Sequence, residues 1–250
     1  MQRVGIIKAG GMAADAKLYR YINLSQFLDF VENQRVHLTR IKDWEDPWEA
    51  PGSSLPVEND DGKLTYPSWN LSEDLYGQSW TLNPESDALW RIYSPQGEGL
   101  LIQTSAEKFS LLTDIKFGQL APVMYFEDLI HALNTLTKTS GYDTLFSEAL
   151  LKRKAFEHEQ EVRLITINDE RCLPRRFKRC SRIYVGLDPF VFIEGITVDP
   201  RAHASYVETL AAYCKRAGFS IVPTKSSLYS PDIYGCSGVV RKYVPVKQSG

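Results

Sequence analysis

The stretch Phe156-Glu157-His158-Glu159-Gln160-Glu161-Val162-Arg163-Leu164-Ile165 constrains the fold more than any other part of the chain. Three carboxylates stand at alternate positions and run straight into a β-branched apolar segment. On a helix, Glu157 and Glu161 would lie one turn apart and repel each other. On an extended chain, Glu157, Glu159, Glu161 and Arg163 share one face, with His158, Gln160, Val162 and Leu164 on the other. Val162, Ile165, Thr166 and Ile167 favour the strand from Glu161 onward. The spacing therefore predicts a helix ending near Ala155, then a strand whose entrance is rimmed with acids. Such a rim suits chemistry. It equally suits a solvated edge whose acids pair with Arg163 or neighbouring cations.

The 250 residues, 43% of them hydrophobic and 24% charged, have ordinary globular composition and enough length for a sizeable core. A net charge of -2 gives no bulk attraction to nucleic acid or an anionic membrane, so either contact would need a local patch. Cys172, Cys180, Cys214 and Cys236 form no CxxC pair and no zinc-ligand spacing, which implies reduced thiols. No apolar run approaches the roughly 18 residues of a membrane span. The first residues lack the charged-then-apolar plan of a signal peptide. A cytoplasmic protein with no membrane partner is expected.

Residues 18–22 read as a strand rich in β-formers. Asn23 offers a cap to a helix whose Leu24, Phe27, Leu28 and Val31 recur at i, i+3, i+4 and i+7. Residues 35–39 return as a strand. Prolines and tryptophans in 43–52 exclude a regular helix there, and Asp61-Gly62 signals a turn, with a hairpin around it. Strands are expected at 77–81, 100–103, 115–117, 122–126, 182–186, 193–198 and 239–246. Helices are expected at 85–93 (capped by Asn83, with Pro84 first), after Ser105, at 128–136, from Tyr142 to Ala155, and at 203–217 ahead of Gly218. Strands and helices do not strictly alternate. The simplest architecture is α+β: a mixed, mostly antiparallel sheet with flanking helices, with 1–17 an N-terminal extension and 18–250 a single domain.

Three passages, in order over about residues 18–167, resemble the bacterial domain of unknown function 2971 family, whose members occur near phage-defence genes. They are Leu18-Tyr19-Arg20-Tyr21 leading to Asp46-Pro47-Trp48-Glu49; Leu89-Trp90-Arg91-Ile92-Tyr93 followed by Gly97 to Gln103; and Lys154 to Ile165. Glu45 stands where that family has Asn, and Gln78-Ser79-Trp80 where it has Cys-Phe-Ser. The opening strand–helix–strand and the late strand starting at a Glu also resemble the ADP-ribosyltransferase plan. Glu159-Gln160-Glu161 is similar to the Glu-x-Glu pair of protein-modifying members. That resemblance implies NAD as substrate and a nucleic-acid or protein acceptor, in a toxin-like setting. Breaking the nicotinamide–ribose bond needs negative charge beside an oxocarbenium-like carbon and a base for the acceptor.

In those roles the resemblance implies Glu161 as the ribose-binding catalytic carboxylate and Glu159 as the group orienting the acceptor. Arg20 would grip phosphate, with Tyr21 and Asn23 nearby and Arg40 a second cation. Trp80, Trp90 or Tyr93 would wall the nicotinamide. Each has a plainer role. Arg20 can snorkel from an edge strand, tryptophans are ordinarily core anchors, and Asp46-Pro47 stiffens a turn. The basic run holding Arg175, Arg176, Lys178 and Arg179 suits a nucleic-acid backbone, or a solvated loop. Arg20 stands where nucleic-acid-modifying members carry His, and no Ser-Thr-Ser-like strand is present. Two rivals remain: a non-catalytic module binding nucleic acid or a phage protein, and a nuclease with Mg²⁺ on Asp46, Glu49, Glu159 and Glu161. No dehydrogenase or phosphate-loop fingerprint occurs, and the scattered histidines give no metal pair.

Overall fold

The computed structural model describes residues 5–46, 48–49, 55–58, 61–65, 73–136, 145–167 and 180–230. In chain order they form β1 (Gly5–Lys8), β2 (Lys17–Ile22), α1 (Leu24–Asn33), β3 (Arg35–Arg40), β4 (Val57–Glu58), β5 (Leu64–Thr65), β6 (Leu75–Thr81), α2 (Asp87–Tyr93) and β7 (Leu100–Ser105). Then come β8 (Phe117–Pro122), β9 (Met124–Phe126), α3 (Leu129–Leu136), β10 (Leu151–Arg153), β11 (Glu161–Ile167) and β12 (Arg182–Gly186). The described part closes with α4 (Pro189–Phe192), β13 (Gly195–Val198), α5 (Ala204–Ala217) and β14 (Thr224–Lys225).

Ten strands make one sheet in the order β1-β8-β11-β6-β2-β7-β13-β14, with β3 also on β6 and β12 on β3. Only the β1–β8 and β13–β14 pairs in it are parallel. The fold is thus α+β with a mixed, mostly antiparallel sheet. Residues 5–8, within the stretch read as an N-terminal extension, supply its first strand.

The arrangement turns on β6. Along one edge it pairs with β11 over its whole length, from Thr81↔Glu161 to Leu75↔Ile167. Along the other edge two strands share it. β2 meets it only at Tyr19↔Thr81, and β3 only at Thr39↔Gly77 and Arg40↔Tyr76. Gln78, Ser79 and Trp80 have no strand partner on that edge among the described residues, so the sheet parts there. Side chains fill the opening: Gln78 Nε2 donates to the His37 carbonyl and Arg20 Nη1 to the Ser79 carbonyl. The link from β2 to β3 is α1, held by a capping box in which Asn23 and Gln26 satisfy each other's backbone N–H groups. It buries Phe27, Phe30 and Val31 in the main core, where α5 adds Leu210 and Cys214.

Alternation along β11 holds as predicted. Val162 and Leu164 face the main core, while Ile165 and Ile167 face a second cluster with Phe146, Ala149 and Leu150. Glu161 and Arg163 share the second face.

Several expectations need correction. The helix expected to run to Ala155 is absent over its described part. Ala149, Leu150 and Leu151 are all fully buried in succession, which no amphipathic helix allows, and Leu151–Arg153 pairs with β9 instead. Residues 154–159 form a 3₁₀ turn rather than extended chain, closed by Gln160 in the left-handed region at φ 44°. Helix α2 is capped by Ser86, while Asn83 accepts from Glu85 N one turn earlier. Ser105 turns its hydroxyl to Glu194 rather than capping. The 115–126 strands fall as β8 and β9, without Ile115 and Lys116. The hairpin around Asp61-Gly62 is present as β4–β5. The strand read at 239–246 lies outside the described residues.

Gly77 has a specific steric cause. A Cβ there would stand 2.8 Å from Trp44 Cζ2 and 3.0 Å from Cη2, so the indole can lie flat on β6 only over glycine. Gly77→Ala is expected to cost about 1–3 kcal/mol in urea unfolding. An unchanged midpoint would mean Trp44 does not pack as described.

Candidate active site

Arg163 is fully buried in the middle of β11. An isolated guanidinium cannot remain there without partners, and four segments supply them. Its Nε donates to Glu161 Oε1 at 2.9 Å and Nη2 to Glu161 Oε2 at 3.2 Å. Nη2 also pairs with Glu49, and Nη1 donates to the Ala149 carbonyl at 2.6 Å. Trp44 covers the guanidinium carbon at 4.8 Å. Burial opposes the charge, but Glu161 and then Glu49 outweigh it and raise the Arg163 pKa.

Lys152 extends the network. Its Nζ lies 2.6 Å from Glu159 Oε2 and 2.6 Å from Glu161 Oε2. Gln160, in the left-handed region, separates the turn that carries Glu159 from the strand that carries Glu161. Thr81 Oγ1 pins the turn by donating to the Glu159 carbonyl at 2.5 Å. Glu161 is 3% exposed and Glu159 9% exposed. The acids therefore pair with cations, as the plainer alternative has it, but in the interior rather than on a solvated edge. Burial would raise the Glu161 carboxyl, yet Arg163 and Lys152 hold it down to about 2. Both Glu161 oxygens are engaged, whereas Glu159 Oε1 has no hydrogen-bond partner among the described residues.

These acids line one cleft with Arg20. Its inner chamber, about 120 Å³, is walled by Tyr19, Arg20, Tyr21, Ser79, Trp80, Thr81, Leu89, Tyr93, Glu159 and Glu161. That is smaller than most small-molecule sites, so a ligand of dinucleotide size would have to extend beyond it. It opens into a wider outer cleft that shares Arg20, Ser79, Tyr93, Glu159 and Glu161 and extends to His37, Trp44, Phe156 and Arg182. Arg20 reaches across the parted sheet, 6.0 Å from the Trp80 ring. Among the described residues no carboxylate pairs with it. Burial lowers its pKa to about 10, so it stays charged at neutral pH. His37 nearby is held down to about 4 by burial, then by Arg20 and Arg182, and is neutral. Arg20 is thus, among the described residues, a cation without a counter-ion in the cleft.

Other expected site residues divide. Tyr93 is 48% exposed and stacks on Tyr21 at 6.0 Å, forming the open aromatic wall. Tyr21 is anchored by accepting from Ser86 N at 3.0 Å. Trp80 is largely buried and donates to Gln78 Oε1, with one edge reaching the chamber. Trp90 is fully buried on Glu85 and does not line the cleft. Asn23 is committed to the cap of α1 and lines a separate hollow beside Ser94 and Glu98. Arg40 is held by Asp43 through two 3.0 Å bonds and lies outside the cleft. Arg175, Arg176, Lys178 and Arg179 lie outside the described residues. Glu157 turns away to another hollow, with His131 and Lys154.

Sequence reasoning missed Lys152, Tyr19, Ser79 and Thr81. For Lys152 a signal existed: the basic triplet Lys152-Arg153-Lys154 is the charge complement of Glu157, Glu159 and Glu161. For the nuclease reading, the four carboxylates each already hold a cation: Asp46 with Arg153, Glu49 with Arg163, Glu159 with Lys152, and Glu161 with both Lys152 and Arg163. Among the described residues no group of three or more His, Cys, Asp or Glu side chains is placed to hold a metal ion. Among them, too, no helix is long and apolar enough to cross a membrane.

No family model and no curated protein matches the chain, so the likeness to the domain of unknown function 2971 family rests on its three motifs alone. Among solved structures, DarT of Thermus sp. 2.9 in complex with NAD+ is similar, with 11% identity, 86% of this chain and 96% of that chain covered, and a TM-score of 0.42. The same protein in complex with ADP-ribosylated ssDNA gives 12%, 87%, 96% and 0.40. Likeness at that level carries no argument, and the chemistry below is drawn from the cleft.

Removing the buried guanidinium with Arg163→Met is expected to cost about 3–5 kcal/mol in denaturant unfolding, since Glu161 and Glu49 lose their shared partner. A loss near zero would contradict the network. Glu161's depressed carboxyl contributes stability that is complete above its ordinary value of 4.5 and is lost as pH falls through about 2. The melting-temperature deficit of Glu161→Gln should therefore shrink across that window. A deficit constant with pH would refute the assignment.

Proposed function

We propose that the cleft binds NAD and transfers its ADP-ribose group to a nucleic-acid or protein acceptor. One observation carries this reading: an unneutralised Arg20 and the Glu159–Glu161 pair line the same chamber, with Tyr93 as an exposed aromatic wall. A pyrophosphate suits Arg20, because charge-assisted bonds to phosphate are strong and, among the described residues, no carboxylate competes. A flat nicotinamide suits the Tyr93 and Tyr21 rings.

The reaction breaks the bond between ribose C1′ and the nicotinamide nitrogen, and the electron pair leaves with nicotinamide. Positive charge develops on the sugar. Glu161, locked in place and ionised, supplies fixed negative potential from a site largely closed to water. Glu159 lines the chamber, and its Oε1 has no hydrogen-bond partner among the described residues. It accepts a hydrogen bond from a ribose hydroxyl or takes the proton of the acceptor as the new bond to C1′ forms. In a cell this activity would make the protein a toxin-like effector, in the phage-defence setting that the motif resemblance implies.

Purified protein given NAD labelled in the adenylate, with single-stranded DNA or cell-extract protein as acceptor, should release nicotinamide and pass label to the acceptor. Glu159→Gln should lower turnover by about 10²–10³-fold. Arg20→Met should raise KM for NAD on the order of tenfold. Neither nicotinamide release nor label transfer from the wild type would end the proposal. Salt-sensitive acceptor binding without turnover would favour a non-catalytic module instead.

A further inference from the structure

We propose that Lys152 is the positioning residue of this site: wedged between Glu159 and Glu161, its ammonium keeps the two carboxylates side by side. The inference rests on the transferase reading and deepens it. Both acids place an oxygen 2.6 Å from one nitrogen, so those oxygens are themselves close neighbours. Lys152 is 8% exposed, and Phe156 packs its ring 5.1 Å from the ammonium, which limits hydration as an alternative. Pairing of β10 with β9 fixes the backbone beneath it.

The neighbours leave this task to Lys152. Around Glu161 stand Arg163 on its own strand, Glu49 from the loop after β3, Glu159 from the turn, and Tyr125 from β9, whose hydroxyl accepts the Glu161 backbone N–H. Tyr93 from α2 borders the same chamber. Arg163 is already shared between Glu161 and Glu49. Lys152 is the cation in contact with Glu159 among the described residues. Without it, two carboxylates would face each other in a water-poor site. Like charges at such range do not both ionise readily, and one would retain a proton near neutral pH. A protonated acid supplies neither the fixed negative charge nor the base.

Nicotinamide release from NAD by the full chain, measured against pH, tests this in wild type, Lys152→Met and Lys152→Arg. The methionine variant should lose activity at acid and neutral pH and recover it as pH rises. Its acid limb should move up by about 1–3 pH units, with KM for NAD unchanged. Arginine should restore the wild-type limb. A merely structural lysine would lower activity equally at every pH, and that outcome would overturn the inference while leaving an active transferase. A wild type releasing no nicotinamide at any pH overturns the transferase reading, and this inference with it.

Thermal unfolding gives a second readout that needs no activity. In Lys152→Met the repelling pair raises a folded-state pKa, so stability present at low pH is lost as pH rises. The melting deficit relative to wild type should therefore widen from acid to alkaline pH. A deficit independent of pH counts against the proposal.

Discussion

A guanidinium with no solvent exposure sits at the centre of this molecule. Arg163 must be paired where it stands, and the chain meets that demand from its own strand and from elsewhere: Glu161 two residues before it, Glu49 from the loop after β3, and the carbonyl of Ala149. Buried ion pairs are weak sources of net stability, because desolvation offsets most of the attraction. What this one supplies is geometry. Once Arg163 is satisfied, Glu161 cannot rotate away, Trp44 is drawn flat over Gly77, and the 148–153 segment is held against β11.

The second constraint is the parted edge of β6. Because β2 and β3 each take only one end of it, three residues are left without a ladder there. A gap in a sheet is costly unless its polar groups find partners. Here Arg20 and Gln78 provide them, so the cleft is both a topological consequence and a place where a cation is held without a counter-ion among the described residues. The buried network fixes the acidic wall and the sheet opening fixes the basic one. Their meeting in one chamber follows from β11 and β2 lying on opposite edges of the same strand.

Much of this was legible in the sequence. The alternation from Glu161 to Ile167 gave the strand and the shared face of Glu161 and Arg163. The capping box at Asn23 and the glycine after Ala217 marked the ends of α1 and α5. That Arg20 and Glu161 share one site was expected from the roles the transferase resemblance implies for them. What local pattern could not show was tertiary. Residues 149–151 are apolar in a way that fits a helix or a strand, and only Arg163's need for carbonyls and the pairing with β9 decide the matter. Asn23, Arg40 and Trp90 have the right chemistry for a ligand site, but each is committed elsewhere: to a cap, to Asp43, and to the core. Lys152 went unnoticed because a lysine in an expected helix has no reason to point inward. The Asp-Pro-Trp-Glu passage looked like a turn. Trp48 N does donate to Asp46 Oδ1, but Glu49 also joins the network by pairing with Arg163.

The central claim is that the cleft, its inner chamber and outer part together, holds a dinucleotide between Arg20 and the Glu159–Glu161 pair. A crystal structure of the protein soaked with a non-hydrolysable NAD analogue tests it most directly. The account predicts the pyrophosphate on Arg20, the nicotinamide against Tyr93, and a ribose hydroxyl within hydrogen-bond distance of Glu159 Oε1. An analogue bound elsewhere, or one seated with its ribose turned away from both carboxylates, would contradict it.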